Sequence, residues 1–291
     1  MYKAIAANKR NTILVMAVFV GIIGAIGYVV SLYYGNTSIT PFVIAGAAIY
    51  ALIQYFMASK LAVAMNGAKQ IEKRDNPRLY RIVENLAITL GMPTPKVYVI
   101  NDTAPNAFAT GRNPKHAIVG VTTGLMDVMN DRELEAVMAH EMGHVQNYDI
   151  RVSMISFGLV SAIGVLSDII LHMFFFGSSD NRNVHPIVYV VGIVVIILAP
   201  IVAAVVQMAV SRQREYLADA TGALTTRDSE GMASALEKLQ QYGHPMKRQH
   251  SASANLFLSN PLKSGFFSKL FSSHPPLEER IARLRKNADT F

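Results

Sequence analysis

The chain has 291 residues, of which 51% are hydrophobic and 16% charged, and it contains no cysteine. This composition is too apolar for an ordinary soluble domain, and the absence of cysteine excludes disulfides, thiolate metal sites and cysteine nucleophiles. The net charge of +7 suits an anionic membrane surface or a nucleic acid. We favour the membrane and expect no nucleic-acid partner, because the basic residues flank apolar segments.

Four apolar segments are long enough to cross a membrane, since a spanning helix needs about 20 predominantly apolar residues. We interpret the first as a retained anchor, because it is longer than a signal-peptide core and no Ala-x-Ala pattern follows it. The third and fourth are joined by a polar loop of ten residues, which favours a membrane hairpin over buried core helices. The segments are Ile13 to Tyr34, Pro41 to Ser59, Met154 to Phe176 and Ile187 to Val210.

The distribution of basic residues predicts the orientation of these segments. Lys3, Lys9 and Arg10 precede the first segment and further Lys and Arg residues follow the second, whereas the loop from Gly35 to Thr40 is uncharged. Because loops rich in Lys and Arg stay in the cytoplasm, we predict a multi-pass protein of the cytoplasmic membrane. Both termini and the residues between the two hairpins should then be cytoplasmic, next to the lipid bilayer.

The residues between the second and third apolar segments have the patterns of a small α+β domain. A capped amphipathic helix is predicted from Pro77 to Leu90, and short strands from Lys96 to Ile100 and from His116 to Thr122. The stretch from Asn101 to Pro114 is rich in turn formers and predicts a connecting loop. A further helix is predicted from about Asp131 to Tyr148.

That last helix carries the most informative pattern in the chain, the run HEMGH at 140–144. A capping-box spacing at its start and an apolar stripe along it support a helix. Residues four apart share a helix face, so His140 and His144 can hold one divalent ion. Glu141 would point to the open side of that ion, where a carboxylate can take a proton from water.

A catalytic zinc site usually has three protein ligands, so one more must come from elsewhere in the chain. Glu215 and Asp219 share a helix face after the fourth apolar segment, and either could supply it. The two could equally form a polar helix edge with Arg212 or Arg214. Spacing favours the metal site, because Glu215 and His144 lie about 7.5 and 15 Å along the chain from the same membrane face.

The other candidates and elements are less informative. Asp168 and His172 share a face of the third apolar segment and could form an ion path, although a hydrated pair near its outer end is the simpler interpretation. After Glu215 we predict helices from Asp228 to Tyr242 and from Leu277 to Lys286. Between these helices, Gly243 to Ser273 predicts a long surface excursion.

Three sequence runs occur together in this chain. They are HEMGH followed by Asp149, SRQREYLAD at 211–219 and NAFATG at 106–111. Their combination resembles the HtpX family of bacterial membrane metallopeptidases, relatives of the CAAX prenyl protease, and the resemblance extends over nearly the whole chain. It implies a zinc endopeptidase of the bacterial inner membrane that removes misfolded or damaged membrane proteins in stress response and quality control.

The resemblance also implies roles for individual residues. One Zn²⁺ per chain would be bound by His140, His144 and Glu215, with Glu141 as general base. Neighbouring side chains would support these ligands, a groove segment would bind an extended peptide as an added strand, and a later histidine would help to stabilise the oxyanion. The supporting residues are Asp149, Arg214 and Asp219, the groove residues are Asn106, Ala107, Phe108 and Ala109, and the later histidine is His274.

We therefore predict a mainly α integral membrane protein with four transmembrane helices and a cytoplasmic α+β, zincin-like protease domain with a small β-sheet. Its substrates would be membrane proteins or unfolded polypeptides, and self-association into a homo-oligomer is left open. The alternative is a non-catalytic metal-binding scaffold or transporter component with a closed, four-ligand site. A prenyl-protein protease would need a larger chamber than four helices enclose. The predicted division is 1–60 and 154–210 for the membrane hairpins and 61–153 and 211–291 for the two parts of the protease domain.

Overall fold

Two long helices form the membrane part of the fold that the structure describes. In this computed structural model, helices α1 (Tyr2–Tyr34) and α2 (Ile39–Met65) pack against each other along a row of small and apolar side chains. Both are long and apolar enough to cross a membrane, over Ile5–Leu32 and Ile39–Met65. They correspond to the first two predicted spans. The structure describes residues 2–159, 162, 212–262, 275–286 and 288.

The second predicted hairpin is described only at its beginning. Helix α6 covers residues 149–159 and packs on α2, where the Tyr50 hydroxyl donates to the Gly158 carbonyl over 3.2 Å. A Cβ atom on Gly158 would collide with the side chain of Gln54, so glycine lets α6 approach α2 closely at this point. The rest of the third predicted span, together with Asp168 and His172, and the fourth span lie outside the described residues.

A four-stranded mixed sheet lies beside these helices, with the strand order β1-β2-β4-β3. Strands β2 and β4 are parallel, whereas β1 pairs with β2 and β3 with β4 in antiparallel fashion. The predicted first strand is confirmed at both ends, and the predicted second strand begins two residues later than expected. The strands are β1 (Lys69–Gln70), β2 (Lys96–Ile100), β3 (Ala107–Thr110) and β4 (Ile118–Thr122).

Strand β3 lies at the sheet edge within a stretch that we predicted to be a loop from Asn101 to Pro114, so that prediction is wrong for four residues. The strand is short, and Pro105 and Gly111 flank it closely, which gives it the composition of a turn. All four of its residues are nevertheless buried, because pairing with β4 and packing on the helices outweigh local propensity.

The remaining helices surround the one that carries the HEMGH run. That helix, α5, begins at a capping box in which the Asn130 side chain accepts from the Glu133 amide and the Glu133 carboxylate accepts from the Asn130 amide, as the spacing predicted. The predicted helices after it are found with small shifts in their ends. The set is α3 (Pro77–Thr89), α4 (Thr123–Val128), α5 (Asp131–Gln146), α7 (Arg212–Thr226), α8 (Ser229–Tyr242) and α9 (Leu277–Lys286).

Helix α5 is the centre of the main hydrophobic core. It packs against α3, α7, α8 and the β3–β4 side of the sheet, so that its whole length is enclosed. Burial on several sides fixes the rotation of the helix, which in turn fixes the direction in which its two histidines point. The apolar stripe indicated by the sequence is confirmed, because all five of its members are fully buried: Leu134, Val137, Met138, Met142 and Val145.

The first turn of α5 is tied to α8 through Glu133. Its carboxylate accepts from the Ser234 hydroxyl over 2.7 Å and from the Lys238 ammonium over 2.6 Å, in addition to the capping bond from Asn130. Burial alone would raise the pKa of Glu133, but these donors lower it below its usual value. The ionised carboxylate therefore stabilises the fold.

Replacing Glu133 with Ala is expected to lower the free energy of unfolding by about 2–4 kcal/mol at neutral pH, since a cap and two charge-assisted bonds are lost. This corresponds to a fall of roughly 5–10 °C in Tm, measured by scanning calorimetry of detergent-purified protein. Because the folded pKa is depressed, the stabilisation is present above about pH 4.3 and is lost as the pH falls through the lower folded value. Equal Tm differences at pH 7 and at strongly acidic pH would contradict this assignment. Glu135→Ala, on the same helix, is the control.

Candidate metal centre

Two histidines, one turn apart on α5, face the same point. The Nε2 atoms of His140 and His144 lie 3.2 Å apart. The carboxylate of Glu215, on α7, lies opposite, with one oxygen 3.7 Å from His140 Nε2 and the other 3.5 Å from His144 Nε2. One potential ligand atom from each residue lies within 4.8 Å of the other two. The fold thus brings together the three residues that the family resemblance implied as ligands.

Glycines on both helices allow α5 and α7 to approach so closely. A Cβ atom on Gly222 would lie 3.2 Å from the backbone nitrogen of His140, and one on Gly143 would lie 3.4 Å from the Thr221 side chain. The first contact is with helix backbone, which cannot move by itself. Any larger side chain at Gly222 would therefore push α7 away from α5 and take Glu215 away from the histidines.

Each histidine is oriented by a second carboxylate behind it. The Nδ1 atom of His140 lies 2.9 Å from Asp219 Oδ1, and the Nδ1 atom of His144 lies 2.9 Å from Asp149 Oδ2. A carboxylate accepts a proton donor, so each ring carries a hydrogen on Nδ1, and the Nε2 atom of the neutral ring would direct its lone pair toward Glu215. This is the tautomer that a metal ligand needs.

The donor set fits a zinc ion. Two imidazole nitrogens and one carboxylate oxygen form a common set for catalytic Zn²⁺, and all three side chains are mostly or fully buried. Burial lowers the pKa of His140 to about 4. Burial also acts to lower the pKa of His144, but Asp149 and Glu215 raise it to about 9. Because a ligating imidazole must be neutral, a divalent cation bound here would have to displace a proton from His144.

Arg280, which the sequence reasoning did not identify, completes the buried charge network. It lies on α9, is fully buried, and donates from Nε and Nη2 to the two oxygens of Asp219 over 2.9 and 2.6 Å. Its Nη1 atom lies 3.5 Å from Glu215 Oε2. Burial alone would raise the pKa of Asp219, but Arg280 and His140 lower it to about 2. Asp219 therefore stays ionised and can accept from His140.

A signal for Arg280 was present in the sequence. It lies one turn from Leu277 and Leu284 on an amphipathic helix, so a charged side chain interrupts the apolar face. A charge on a buried face needs a buried partner of opposite sign, but the sequence pattern does not say which residue that partner is.

Glu141 lies beside the three potential ligands without joining them. Its carboxyl group is buried and lines the same cleft as His140, His144 and Glu215. Burial raises the pKa of Glu141 to about 7, with a further contribution from the charge of Glu215. A group with a pKa in this range can both accept and return a proton at neutral pH, as a general base must.

The cleft has walls from three parts of the chain. Ala109 of β3 forms one wall, Ile150 and Ser153 of α6 form the second, and the segment 256–258 forms the third. Arg214 also lines it, with Nη1 3.8 Å from Asp149 Oδ1, and burial lowers its pKa. A mostly apolar cleft that ends at a cluster of ionisable groups is the usual form of a ligand-binding site.

The predicted groove residues lie in or next to the edge strand β3 and are buried, and part of that edge is already covered. The amide of Leu258 donates to the Ala107 carbonyl over 2.8 Å, and Phe108 and Phe257 form an isolated antiparallel bridge. The Asn106 side chain bonds the amide and the carbonyl of Ser259. Ala109, two residues beyond Ala107, directs its backbone groups away from β4 in the same way and lines the cleft.

The predicted site residues differ in where they lie relative to the ligand cluster and the cleft. Asp149, Arg214 and Asp219 lie next to the ligand cluster, as expected of supporting residues. Of the groove residues, Ala109 is the one that lines the cleft among the described residues. His274 lies outside the described residues, so its contribution to the oxyanion stays a prediction.

Comparisons with known proteins agree with this site. The profile of peptidase family M48 matches residues 73–288, which contain α5, α7 and α9. The chain is 53% identical over 291 residues to a Protease HtpX homolog of Tropheryma whipplei (strain Twist), covering 100% of both chains. It is 45% identical over 298 residues to that of Limosilactobacillus fermentum and 42% identical over 296 residues to that of Streptococcus gordonii, covering 98% of this chain and 99% of each relative.

One solved structure extends the comparison to the fold. The crystal structure of S. mikatae Ste24p is similar with a TM-score of 0.54 at 21% sequence identity, covering 98% of this chain and 67% of that chain. At this identity the likeness shows a shared fold.

Proposed function

Because the chain belongs to peptidase family M48 and is a membrane metallopeptidase, we propose that it is a zinc endopeptidase of the bacterial cytoplasmic membrane that cleaves misfolded or damaged membrane proteins. The observation that carries the proposal is the meeting of His140, His144 and Glu215 beside a cleft that also holds Glu141. A peptidase needs an accessible face next to its metal, and this cleft provides one.

Different side chains would have different roles in hydrolysis. His140, His144 and Glu215 would hold the ion, and a bound Zn²⁺ supplies Lewis acidity that acidifies water and polarises a carbonyl oxygen. Glu141 would take the proton from the attacking water and pass it to the leaving amine. No covalent bond between this chain and the substrate is needed. We infer that Asp149 and Asp219 keep the two imidazoles in the ligating tautomer.

The shape of the cleft supports an extended, apolar peptide as substrate. A peptide added along β3 would run past Ala109, which lines the cleft with the metal ligands, whereas at Ala107 the edge is already paired with Leu258. A bound peptide would therefore form a short β-ladder, and apolar contacts with Ile150, Leu256 and neighbouring residues would supply further affinity. Exposed apolar stretches are characteristic of misfolded membrane proteins, which is why we propose them as substrates.

The proposed topology follows from the predicted spans. We propose a multi-pass protein with both termini and the peptidase part cytoplasmic, on the basis of its basic loops. The proposed division into two hairpins (1–60 and 154–210) and two halves of one peptidase domain (61–153 and 211–291) has support in the metal centre, whose ligands come from both halves. Self-association stays open within this proposal.

The scaffold or transporter alternative receives less support from the site. A structural metal site encloses its ion with four ligands, whereas the three residues here border an accessible cleft. Glu141 would have no purpose in a closed structural site, because burying its carboxyl group beside that of Glu215 is unfavourable.

Removal of the metal tests the proposal directly. Detergent-purified protein should contain about one Zn²⁺ per chain by mass spectrometry and should cleave casein. Treatment with a chelator should remove both the ion and the activity, and added Zn²⁺ should restore activity. A protein without metal that cleaves casein in the presence of chelator would overturn the zinc mechanism. A metal-binding protein without activity toward casein and a membrane-protein substrate would support the scaffold alternative.

A further inference from the structure

We propose that Asn8, in the first membrane helix, is a positioning residue for the metal centre: it holds Asp149, and Asp149 holds His144. The inference rests on the proposed function, since it assumes that His144 binds metal. Asn8 is almost fully buried, and its Nδ2 atom donates to Asp149 Oδ1 over 2.6 Å and to the Asn147 carbonyl over 2.9 Å. A residue 136 positions before His144 in the chain therefore contacts the support of a metal ligand.

The two oxygens of Asp149 have different partners. Oδ2 accepts from His144 Nδ1, and Oδ1 accepts from Asn8. Two bonds to opposite oxygens fix the plane of a carboxylate, whereas one bond leaves it free to rotate. Because an imidazole follows the carboxylate that holds it, Asn8 determines the direction of the His144 ring.

A competing partner for Asp149 lies close by. The Nη1 atom of Arg214 lies 3.8 Å from Asp149 Oδ1, beyond hydrogen-bonding distance, and has no hydrogen-bond partner among the described residues. Without the amide of Asn8, the Asp149 carboxylate can turn toward this guanidinium. Such a rotation would lengthen or break its bond to His144.

The backbone around Asp149 also depends on helix α1. Tyr148, between α5 and α6, has a φ of +63°, a left-handed conformation that non-glycine residues seldom adopt. Its ring is contacted from two sides, by Lys9 of α1 at 5.0 Å from the ring centroid and by Arg151 at 4.9 Å. Asn8 bonds the carbonyl before Tyr148 and the side chain after it. The start of α1 therefore holds an unfavourable turn in the form that presents Asp149 to His144.

This arrangement connects membrane insertion with metal binding. Within the part of the chain that the structure describes, helix α1 is one of two helices long and apolar enough to cross a membrane, and Asn8 lies near the start of its apolar stretch. A displaced α1 would remove the bonds to Asn147 and Asp149 together. We therefore infer that His144 is fully positioned only when α1 lies in its place against the turn.

The test measures metal binding and ligand geometry in full-length, detergent-purified protein that carries Glu141→Gln to prevent self-cleavage. Chelator competition gives the affinity for Zn²⁺, and the visible absorption of the Co²⁺-loaded protein reports on coordination geometry. Asn8→Ala should weaken Zn²⁺ binding by roughly 10-fold, at the lower end for residues that support a ligand, and should alter the Co²⁺ spectrum. Asn11→Ala removes the same group from the same helix three residues later and should match the parent.

A double-mutant cycle separates positioning from a general loss of stability. If Asn8 acts through Asp149, Asn8→Ala should have no further effect on Zn²⁺ affinity once Asp149→Ala is present. Asn8→Leu keeps the branched outline of the side chain and removes the amide, so it should reproduce the loss even if Asn8→Ala unfolds the helix. Asn8 variants with the affinity and spectrum of Asn11→Ala, or additive effects in the cycle, would overturn the inference alone. A parent protein that binds no metal would overturn the proposed function as well.

Discussion

Glu141→Gln is expected to lower kcat for casein cleavage by about 10³-fold while the Zn²⁺ content stays at one per chain. Gln has nearly the same shape as Glu but cannot accept the proton of the attacking water. Because Glu141 lies beside the ligand cluster and is not part of it, the ion should remain bound. Loss of its charge also relieves the repulsion from Glu215 that contributes to its raised pKa.

The measurement combines a casein assay with metal analysis of the same preparation. Glu135→Gln, on the same helix and outside the cleft, should retain both activity and metal. Substantial cleavage by Glu141→Gln would show that another group acts as base. Loss of the ion together with activity would mean that Glu141 belongs to the ligand set.

Glu215→Ala is expected to have the largest effect on metal binding. Removing one of three ligands should weaken Zn²⁺ affinity more than the 10- to 100-fold typical of a supporting residue, and activity should be lost with the ion. The sequence alone left Glu215 and Asp219 as equal candidates for the third ligand. Their distances differ: Glu215 faces the Nε2 atoms of both histidines, whereas Asp219 lies behind His140 at Nδ1.

The Asp219→Asn variant tests this prediction, because its Zn²⁺ affinity and its stability can be compared with those of Glu215→Ala. It should weaken Zn²⁺ binding less than Glu215→Ala, yet cost more stability, because it leaves the fully buried Arg280 without its closest partner. Breaking a buried ion pair costs about 3–5 kcal/mol, so thermal unfolding should show the loss clearly. The reverse order of metal affinities would assign Asp219 as the third ligand.

Local patterns predicted the parts of this protein that depend on neighbouring residues. The capping box, the apolar stripe and the two histidines of α5 follow from helix periodicity, and burial of α5 on several sides confirms the stripe. The first two apolar segments were found for the same reason, because length and composition suffice to identify them. Strand β3 was not predicted, because a strand of four residues is too short for its alternating pattern to be distinguished from a loop.

The contacts that complete the metal centre could not be predicted in the same way. Asn8 and Arg280 approach the two histidines from opposite ends of the chain, and sequence spacing contains no information on such contacts. Coverage of β3 by the segment around Phe257 is likewise a long-range pairing within a stretch whose composition indicated only a surface excursion. The available signals were the amide of Asn8 in the apolar helix α1 and the charge of Arg280 on the apolar face of α9. Neither signal identifies the partner of the polar group.

The residues of the metal centre lie far apart in the sequence, so the ribosome adds them at different times. A ribosome that has translated the first 150 residues has made the HEMGH helix but neither Glu215 nor Arg280. The growing polypeptide would then hold two imidazoles without the carboxylate that we propose as their third ligand, and it would be catalytically silent. Under the proposed mechanism the peptidase would become active only after most of its own chain has been synthesised, so it would not cleave itself while it is being made.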